Sequence, residues 1–309
     1  MRLDLAVSGR FGLSRRAARE AVRAGRVDLA GVPQDQPGLE IPEEAPLAYH
    51  PERPARRRVR TRLEVLHEDD DLLVVEKPAG LLAVPTAERE KDTLLSRVSL
   101  YLQHRYRRRP YVGVVHRLDR ETSGALVFAR TREALRVLQQ HFRNHEIERE
   151  YLAIVTGQPP SAGRFDAALA GDGTVRRRAV ARVGEPGKRA VTRYRVLQRL
   201  SGASLVAVEL ETGRTHQIRI HFAAAGHPVL GDRVYRRPGA SAPIEVGRQM
   251  LHARRLGVPH PRTGRMVRVE APIPKDFSDA LAALRPRPGQ RKKRPGPAGA
   301  LDRQSVTTS

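Results

Sequence analysis

The sequence predicts an α+β protein whose central sheet is mixed and largely antiparallel, with helices packed on it, preceded by a small N-terminal α/β domain. Two observations predict this sheet: strand-like runs follow one another along the chain, and most of them are not separated by a full crossover helix. A third observation sets the small domain apart, because the polar stretch at 51–62 is typical of a linker between folded parts.

Four regions follow from this division. We expect a small domain over 1–50, a basic linker over 51–62, a large domain over 63–285 and a basic tail over 286–309. The tail is rich in proline, glycine and arginine and has almost nothing to bury, so we expect it to be disordered. A length of 309 residues suits two domains with appendages.

The small domain begins with a predicted helix that Ser14 caps and that ends at Gly25. Its arginines share one face, opposite an apolar face, at Arg15, Arg19, Arg23 and Arg26. Such a stripe suits the phosphate backbone of RNA, and a solvated helix face would show the same pattern. The alternating run RVDLAGVPQ predicts a strand with a turn at Gly31.

The large domain opens with two predicted strands in TRLEVLHEDDDLLVVEKPAGLLAVP. We interpret the acidic residues 69–71 between them as a solvated hairpin turn rather than a metal site. Tyr111–Leu118 and Ala125–Arg130 are the next predicted strands, and they flank the loop DRETSG.

A helix follows from Thr131 to about His145, because Leu135, Leu138 and Phe142 recur at helical spacing. The run REYLAIVTG then predicts a strand, as does Ser204–Leu210. The segment ETGRTHQIRIHFAAAGH predicts a turn and a helix that ends at Gly226.

Composition indicates a polyanionic partner. The formal net charge is +23, which favours nucleic acid as the partner. The small domain with its linker carries only +4 of this over 1–60, the region 61–285 carries +14 and the tail +5. The chain has no cysteine, which excludes disulfide scaffolds and thiolate metal sites. No apolar stretch is long enough to span a bilayer, so we expect a cytoplasmic protein with no membrane partner.

Asp119 is the candidate for chemistry, because the loop HRLDRETSG can present a carboxylate at the edge of a sheet. By itself the residue is better explained by a turn or a cap. The neighbouring Arg117 and Arg120 are equally suited to bind phosphate. The basic run Arg105, Arg107, Arg108 and Arg109, with nearby tyrosines, suits contact with RNA and equally a solvated loop.

Five segments, in order over about 200 residues, resemble the RluA-type pseudouridine synthase family. They are EDDDLLVVEKPAGLLAVP, GVVHRLDRETSGALVFART, EREYLAIVTG, GRTHQIRIHFAAAGHPVLGDRVY and LHARRLGVPHPRTG. The small domain (LSRRAAREAVRAGRVDLAGV) resembles the RNA-binding domain first seen in ribosomal protein S-four, and GLEIPEEAPLAYH matches it less well, as in a degenerate domain.

The resemblance implies isomerisation of uridine to pseudouridine in RNA, with no metal, cofactor or energy source. It also implies that helices and loops surround a catalytic cleft on the sheet. Asp119 would be the catalytic carboxylate, attacking the ribose or the uracil or assisting base elimination. Arg219 would pair with Asp119 and keep it ionised, and Tyr151 would stack on the uracil and join proton transfer.

Three further residues receive roles from the same resemblance. Leu251 would form an apolar wall of the pocket, although plain core packing explains it nearly as well. His116 and Arg117 are candidates to fill the stack vacated by an extruded base.

The alternative interpretations differ in the RNA substrate and in the class of protein. Large-subunit ribosomal RNA is the favoured substrate and transfer RNA the alternative, and we expect a monomer. A non-catalytic RNA-binding assembly factor is a rival, against which stands the presence of Asp119, Tyr151 and Arg219 together. A metal-dependent RNA hydrolase is disfavoured, because His216 and His221 would lie about 140° apart around a helix.

Overall fold

A computed structural model of the chain describes residues 1–54, 63–107, 110–171, 178–181, 186–236 and 241–286. Most of the predicted linker and all but the first residue of the predicted tail lie outside these ranges, as do Arg108 and Arg109. Among the described residues, no helix combines the length and apolarity that crossing a membrane requires.

The N-terminal part folds as two helices beside a small antiparallel sheet with strand order β2-β1-β3. Its elements are α1 (Leu3–Phe11), α2 (Arg15–Arg23), β1 (Val27–Leu29), β2 (Val32–Gln34) and β3 (Leu47–Tyr49). As predicted, Ser14 caps α2, since its side chain accepts a hydrogen bond from the amide of Ala17. Leu3, Val7, Ala18 and Val22 are among the residues of its separate apolar core.

One expectation for the N-terminal part needs correction, and one of its helices was not predicted. Helix α2 ends at Arg23, so Arg26 is not on the helical arginine stripe, and its Nε donates to the Arg53 carbonyl instead. Helix α1 was not predicted, because Ser8 and Gly9 weaken its helical pattern and its stability comes from packing in the apolar core.

The remaining elements form an 11-stranded sheet with order β10-β9-β11-β12-β8-β13-β7-β5-β4, to which β6 and β14 add at the sides. The strands are β4 (Glu64–Glu68), β5 (Leu72–Lys77), β6 (Gly113–Val114), β7 (Ser123–Ala129), β8 (Glu148–Thr156), β9 (Ala162–Gly171), β10 (Arg178–Val180), β11 (Lys188–Arg199), β12 (Ala203–Leu210), β13 (Leu251–Pro259) and β14 (Met266–Glu270). The helices are α3 (Leu94–Tyr106), α4 (Arg132–Arg143), α5 (Gln217–Ala224) and α6 (Lys275–Ala283). Only the β13–β7 pair is parallel among the described strands, which confirms the mixed, largely antiparallel sheet.

Strand β7 lies at the centre of the fold and is buried along its whole length. On one face its Leu126 and Phe128 join the apolar cluster that also contains residues of α3 and α5. On the other face its Ala125 and Val127 join the cluster that contains residues of α4. The strand that follows the loop DRETSG is therefore packed between two apolar clusters.

Gly124 explains how β13 can pair with β7 at that end. Its φ is 121°, a region that L side chains rarely adopt, and an added Cβ would collide with the backbone of Ala253. Glycine is therefore required for the close approach that places β13 beside the DRETSG loop.

The structure differs from the predicted elements at other places as well, since β9, β10, β11, β13, β14 and α6 were not predicted. The predicted strand Tyr111–Leu118 is reduced to Gly113–Val114, and the ring of His116 turns inward to stack on Phe142 of α4. Helix α3 was missed, although Thr93 and Ser96 form a capping box ahead of it. The cap of α4 at Thr131 is as predicted.

Candidate active site

Asp119 lies in the loop that precedes β7. The amide of Thr122 donates to the carbonyl of Asp119 at 3.1 Å, which closes a turn. The side chain of Asp119 is 24% exposed, so a ligand can reach it.

Two buried cations and an amide side chain hold this loop. Lys77 Nζ donates to the carbonyl of Arg120 at 2.9 Å, and Arg248 Nη1 donates to the carbonyl of Glu121 at 3.1 Å. Gln249 Nε2 donates to Thr122 Oγ1 at 2.8 Å. Because three successive residues after Asp119 are anchored, the position of its backbone is fixed before any ligand binds.

Lys77 is fully buried at the end of β5. Burial lowers its pKa to about 7, against the opposing charges of Glu121 and Asp119. Its Nζ also donates to the carbonyls of Pro78 and Leu81, so the ammonium form uses all three protons. Sequence reasoning missed this residue, although a single lysine ending the apolar run LLVVEK was a usable signal.

Arg219 of α5 is the direct partner of the Asp119 carboxylate. Its Nη1 donates to Asp119 Oδ2 at 3.0 Å. Its other nitrogens bind Asp232, with Nε 2.6 Å from Oδ2 and Nη2 3.1 Å from Oδ1. Arg219 therefore joins two carboxylates, and the bidentate pair is with Asp232, which sequence reasoning did not single out although it lies in the segment GDRVY.

Arg219 and Asp232 stabilise each other in their charged forms. Burial alone would lower the pKa of Arg219, but hydrogen bonds and charge from Asp232, and then from Asp119, raise it. Burial would raise the pKa of Asp232, but the Arg219 guanidinium and the amides of Tyr235 and Val234 lower it. Arg219 and Asp232 are therefore both ionised although both side chains are buried.

Gln217 fixes the start of α5 to the sheet. Its Nε2 donates to the Val191 carbonyl and to Thr192 Oγ1 of β11, both at 2.9 Å. Its Oε1 accepts from Thr212 Oγ1 and from the amide of Arg214. This buried network sets the direction of the helix that carries Arg219.

Tyr151 lies on β8 and is only 8% exposed. It belongs to the same apolar cluster as Leu118, Ile218 and Leu251, so one face of the sheet brings these residues together beside Asp119. Burial raises the pKa of Tyr151, Arg149 opposes this, and the charge of Asp119 adds to it. Leu251 is 4% exposed and packs in this cluster, as both of its sequence interpretations require.

The other predicted contact residues are placed differently. Arg117 is exposed next to the loop. His116 has an internal position, since its Nε2 accepts from the amide of Val127 and its ring stacks on Phe142. Burial, with the charge of Arg149, lowers the pKa of His116 to about 3, so the ring is neutral.

The N-terminal arginines are exposed on α2. Arg15 and Arg23 lie at its two ends, and between them Arg19 donates to Asp4 at 2.8 Å. They belong to the separate N-terminal part and not to the cluster around Asp119.

The acidic residues 69–71 form a turn between β4 and β5, as predicted. Asp69 Oδ1 accepts from the amides of Asp71 and Leu72, both at 2.9 Å. Asp69, Asp71 and His260 lie close enough to share a cation, but Arg262 already binds Asp71.

Comparisons with known proteins identify the family of the chain. Residues 71–224, which include Asp119, Tyr151 and Arg219, match the family described as RNA pseudouridylate synthase. The chain is 41% identical over 233 residues to ribosomal large subunit pseudouridine synthase D of Pseudomonas aeruginosa, covering 72% of each chain. It is 36% identical over 300 residues to an uncharacterized RNA pseudouridine synthase of Mycobacterium bovis, covering 92% of this chain and 94% of that one.

A solved structure shows the same fold. Human RNA pseudouridylate synthase domain containing 4 superposes with a TM-score of 0.62 and is 25% identical, covering 72% of this chain and 92% of that chain. The mixed sheet, the loop that carries Asp119 and the matched sequence all lead to one conclusion: the chain belongs to the RluA-type family of RNA pseudouridine synthases.

Proposed function

We propose that this enzyme converts specific uridines of large-subunit ribosomal RNA to pseudouridine and that Asp119 is its catalytic carboxylate. The observation that carries the proposal is a partly exposed carboxylate that Arg219 holds at 3.0 Å beside the apolar cluster that contains Tyr151 and Leu251. The choice of RNA rests on relatives named ribosomal large subunit pseudouridine synthase D, at 41% and 42% identity.

The reaction rearranges bonds without gain or loss of atoms. The bond between the ribose and nitrogen 1 of uracil breaks, the base turns, and carbon 5 bonds to the ribose. Carbon 5 then loses a proton and nitrogen 1 gains one. Asp119 attacks the ribose or the uracil, or assists elimination of the base, and each route needs an ionised carboxylate of fixed orientation.

The surrounding residues suit these steps. Arg219 donates to Asp119 Oδ2 and thereby holds the carboxylate in one orientation. Tyr151 offers a buried ring on which uracil can stack, and its hydroxyl is a candidate for proton transfer at carbon 5. Leu251 contributes apolar wall, which keeps water from the detached base.

RNA contact involves a wider surface. Exposed Arg117 flanks the catalytic loop, and Arg15, Arg19 and Arg23 present a second basic surface on α2. His116 next to Arg117 was proposed for the vacated base stack, and its internal contacts favour Arg117 for that role. We assign RNA binding to residues 1–50 and catalysis to 63–285, and we expect a monomer that works in the cytoplasm.

The test compares Asp119→Asn with Asp70→Asn, which removes an exposed carboxylate elsewhere on the domain. With large-subunit ribosomal RNA from a strain that lacks the gene, Asp119→Asn should form no pseudouridine while its RNA affinity stays within about twofold. Asp70→Asn should match the wild type. Pseudouridine formation is measured by carbodiimide-blocked primer extension.

Two outcomes would contradict the proposal. Wild-type turnover by Asp119→Asn would remove Asp119 from catalysis. A strain without the gene that loses pseudouridine from transfer RNA and not from ribosomal RNA would assign the other substrate.

A further inference from the structure

His216 is the residue before α5, and its backbone is in the left-handed region with φ 59° and ψ 16°. This conformation is unfavourable for a non-glycine residue. Histidine, asparagine and aspartate tolerate it better than other side chains. A strained residue inside a functional cluster motivates a search for what its side chain does.

The two ring nitrogens of His216 face different partners. Its Nδ1 is 2.7 Å from the hydroxyl of Tyr235. Its Nε2 is 3.7 Å from Asp119 Oδ1, the carboxylate oxygen that Arg219 does not bind. Arg219 and His216 thus approach the two oxygens of one carboxylate from two sides.

The Tyr235 hydroxyl determines how His216 can act. When this hydroxyl donates to Nδ1, the neutral ring carries its proton on Nε2, toward Asp119. Tyr235 is itself fixed, because its amide donates to Asp232 at 3.0 Å and its ring lies 5.0 Å from the guanidinium carbon of Arg219. Asp119, His216 and Tyr235 therefore form a chain of contacts that ends at the Asp232–Arg219 pair. Arg219 of this pair also binds Oδ2, the second oxygen of the Asp119 carboxylate.

We propose that His216 is a positioning residue for Asp119: it binds Oδ1 and, together with Arg219 on Oδ2, fixes the plane of the carboxylate. This inference rests on the proposed catalytic role of Asp119. The carboxylate rotates broadly about its terminal bond when one oxygen alone is anchored. A second anchor directs the same lone pair at the substrate in every turnover.

The separation of 3.7 Å is longer than a hydrogen bond and suits a free enzyme. Catalytic hydrogen bonds are often long before the substrate binds and shorten in the complex. The side chains of His216 and Asp119 are 23% and 24% exposed, so bound RNA would cover both and exclude the water that competes for Oδ1.

Three substitutions distinguish the contribution of Nε2 of His216 from that of Nδ1. His216→Gln places an amide nitrogen near the position of Nε2 and can still donate to Asp119. His216→Asn places its amide near Nδ1, tolerates the left-handed backbone and can reach Tyr235 but not Asp119. Tyr235→Phe removes only the hydroxyl and keeps the ring beside Arg219.

The measurement is the single-turnover rate of proton release from carbon 5 of uridine in RNA labelled with tritium at that carbon, with enzyme in excess. RNA affinity and melting temperature are measured on the same proteins. We expect His216→Asn to lose about 10- to 100-fold in rate, as is typical of residues that orient a catalytic ligand, with unchanged affinity. His216→Gln should recover most of this loss, and Tyr235→Phe should fall between them.

Wild-type rate in His216→Asn would overturn the inference, and so would equal losses in His216→Asn and His216→Gln. A rate that falls only in proportion to melting temperature or RNA affinity would overturn it as well, because it would show a structural role. Asp119→Asn is run in parallel. Turnover by that variant contradicts the proposed function, whereas its inactivity beside a fully active His216→Asn contradicts the positioning role alone.

Discussion

Arg219 shows why a single residue can be indispensable to a site without being its reactive group. Arg219 donates through two nitrogens to Asp232 and through one nitrogen to Asp119. The two bonds to Asp232 fix the orientation of the guanidinium, so that Nη1 is directed at the Asp119 carboxylate. A lysine ammonium in its place is a single point charge and cannot satisfy both carboxylates at the same angles.

Arg219→Lys should therefore reduce turnover at least tenfold and change RNA affinity by less than about twofold. It should also lower the free energy of unfolding by about 1–3 kcal/mol, because an oxygen of buried Asp232 loses its donor. Single-turnover assays, filter binding and urea denaturation measure these effects. Arg136→Lys, on the exposed surface of α4, is the control. An unchanged rate would exclude Arg219 from the active site.

At the scale of elements, the contact between α4 and β7 determines how firmly the loop that carries Asp119 is supported. Strand β7 continues directly from that loop, and His116 bridges the two elements through Phe142 of α4 and the amide of Val127. The acceptor nitrogen must be unprotonated to receive the Val127 N–H, which agrees with the lowered pKa of His116.

This contact predicts a pH dependence of stability. The pKa of His116 is about 3 when folded and near the usual 6.5 when unfolded, so the unfolded chain binds the extra proton between these values. The contribution of His116 to the free energy of unfolding is therefore fully present above about pH 6.5 and is lost as the pH falls toward 3. In urea denaturation followed by circular dichroism, His116→Gln should lose less stability between about pH 7 and pH 4 than the wild type, since glutamine accepts the same hydrogen bond without titrating. Parallel curves for the two proteins would contradict this.

At the scale of the whole molecule, many arginines are already paired with acids and do not contribute to a free positive field. Exposed pairs include Arg189 with Asp166, Arg193 with Glu211 and Arg268 with Glu148. The net excess therefore resides in other arginines, such as Arg117, Arg15 and Arg23, and in residues 286–309 with their charge of +5.

Removal of residues 286–309 should make RNA binding less sensitive to salt and leave the modified uridine unchanged. Every phosphate that the shortened protein no longer neutralises reduces the slope of log affinity against log salt by about 0.7 on single-stranded RNA, so five charges set an upper limit of about 3.5. Filter binding at several salt concentrations measures the slope, and primer extension identifies the modified position. A shifted position would show that these residues take part in choosing the substrate.

The sequence by itself determined the family, the strands β4, β5, β7, β8 and β12 of the large sheet, and the candidacy of Asp119, Tyr151 and Arg219, because these depend on local patterns and on motifs in a fixed order. Helix α3 was within reach of the same reasoning through the spacing of Leu94 and Leu102 after a capping box. Catalytic roles for these residues remain predictions.

Only the tertiary structure decided how the loop of Asp119 and its partner Arg219 are held in place. Lys77 anchors the loop across 43 residues, Arg248 anchors it across 127, and Asp232 binds Arg219 from the side opposite Asp119. These contacts exist because β7 lies between β5 and β13, an order that sets which chain segments meet and that local patterns do not encode. For the same reason the histidine set aside as a metal ligand, His216, proved to face the carboxylate: its direction comes from a left-handed backbone and from Tyr235, not from helical spacing.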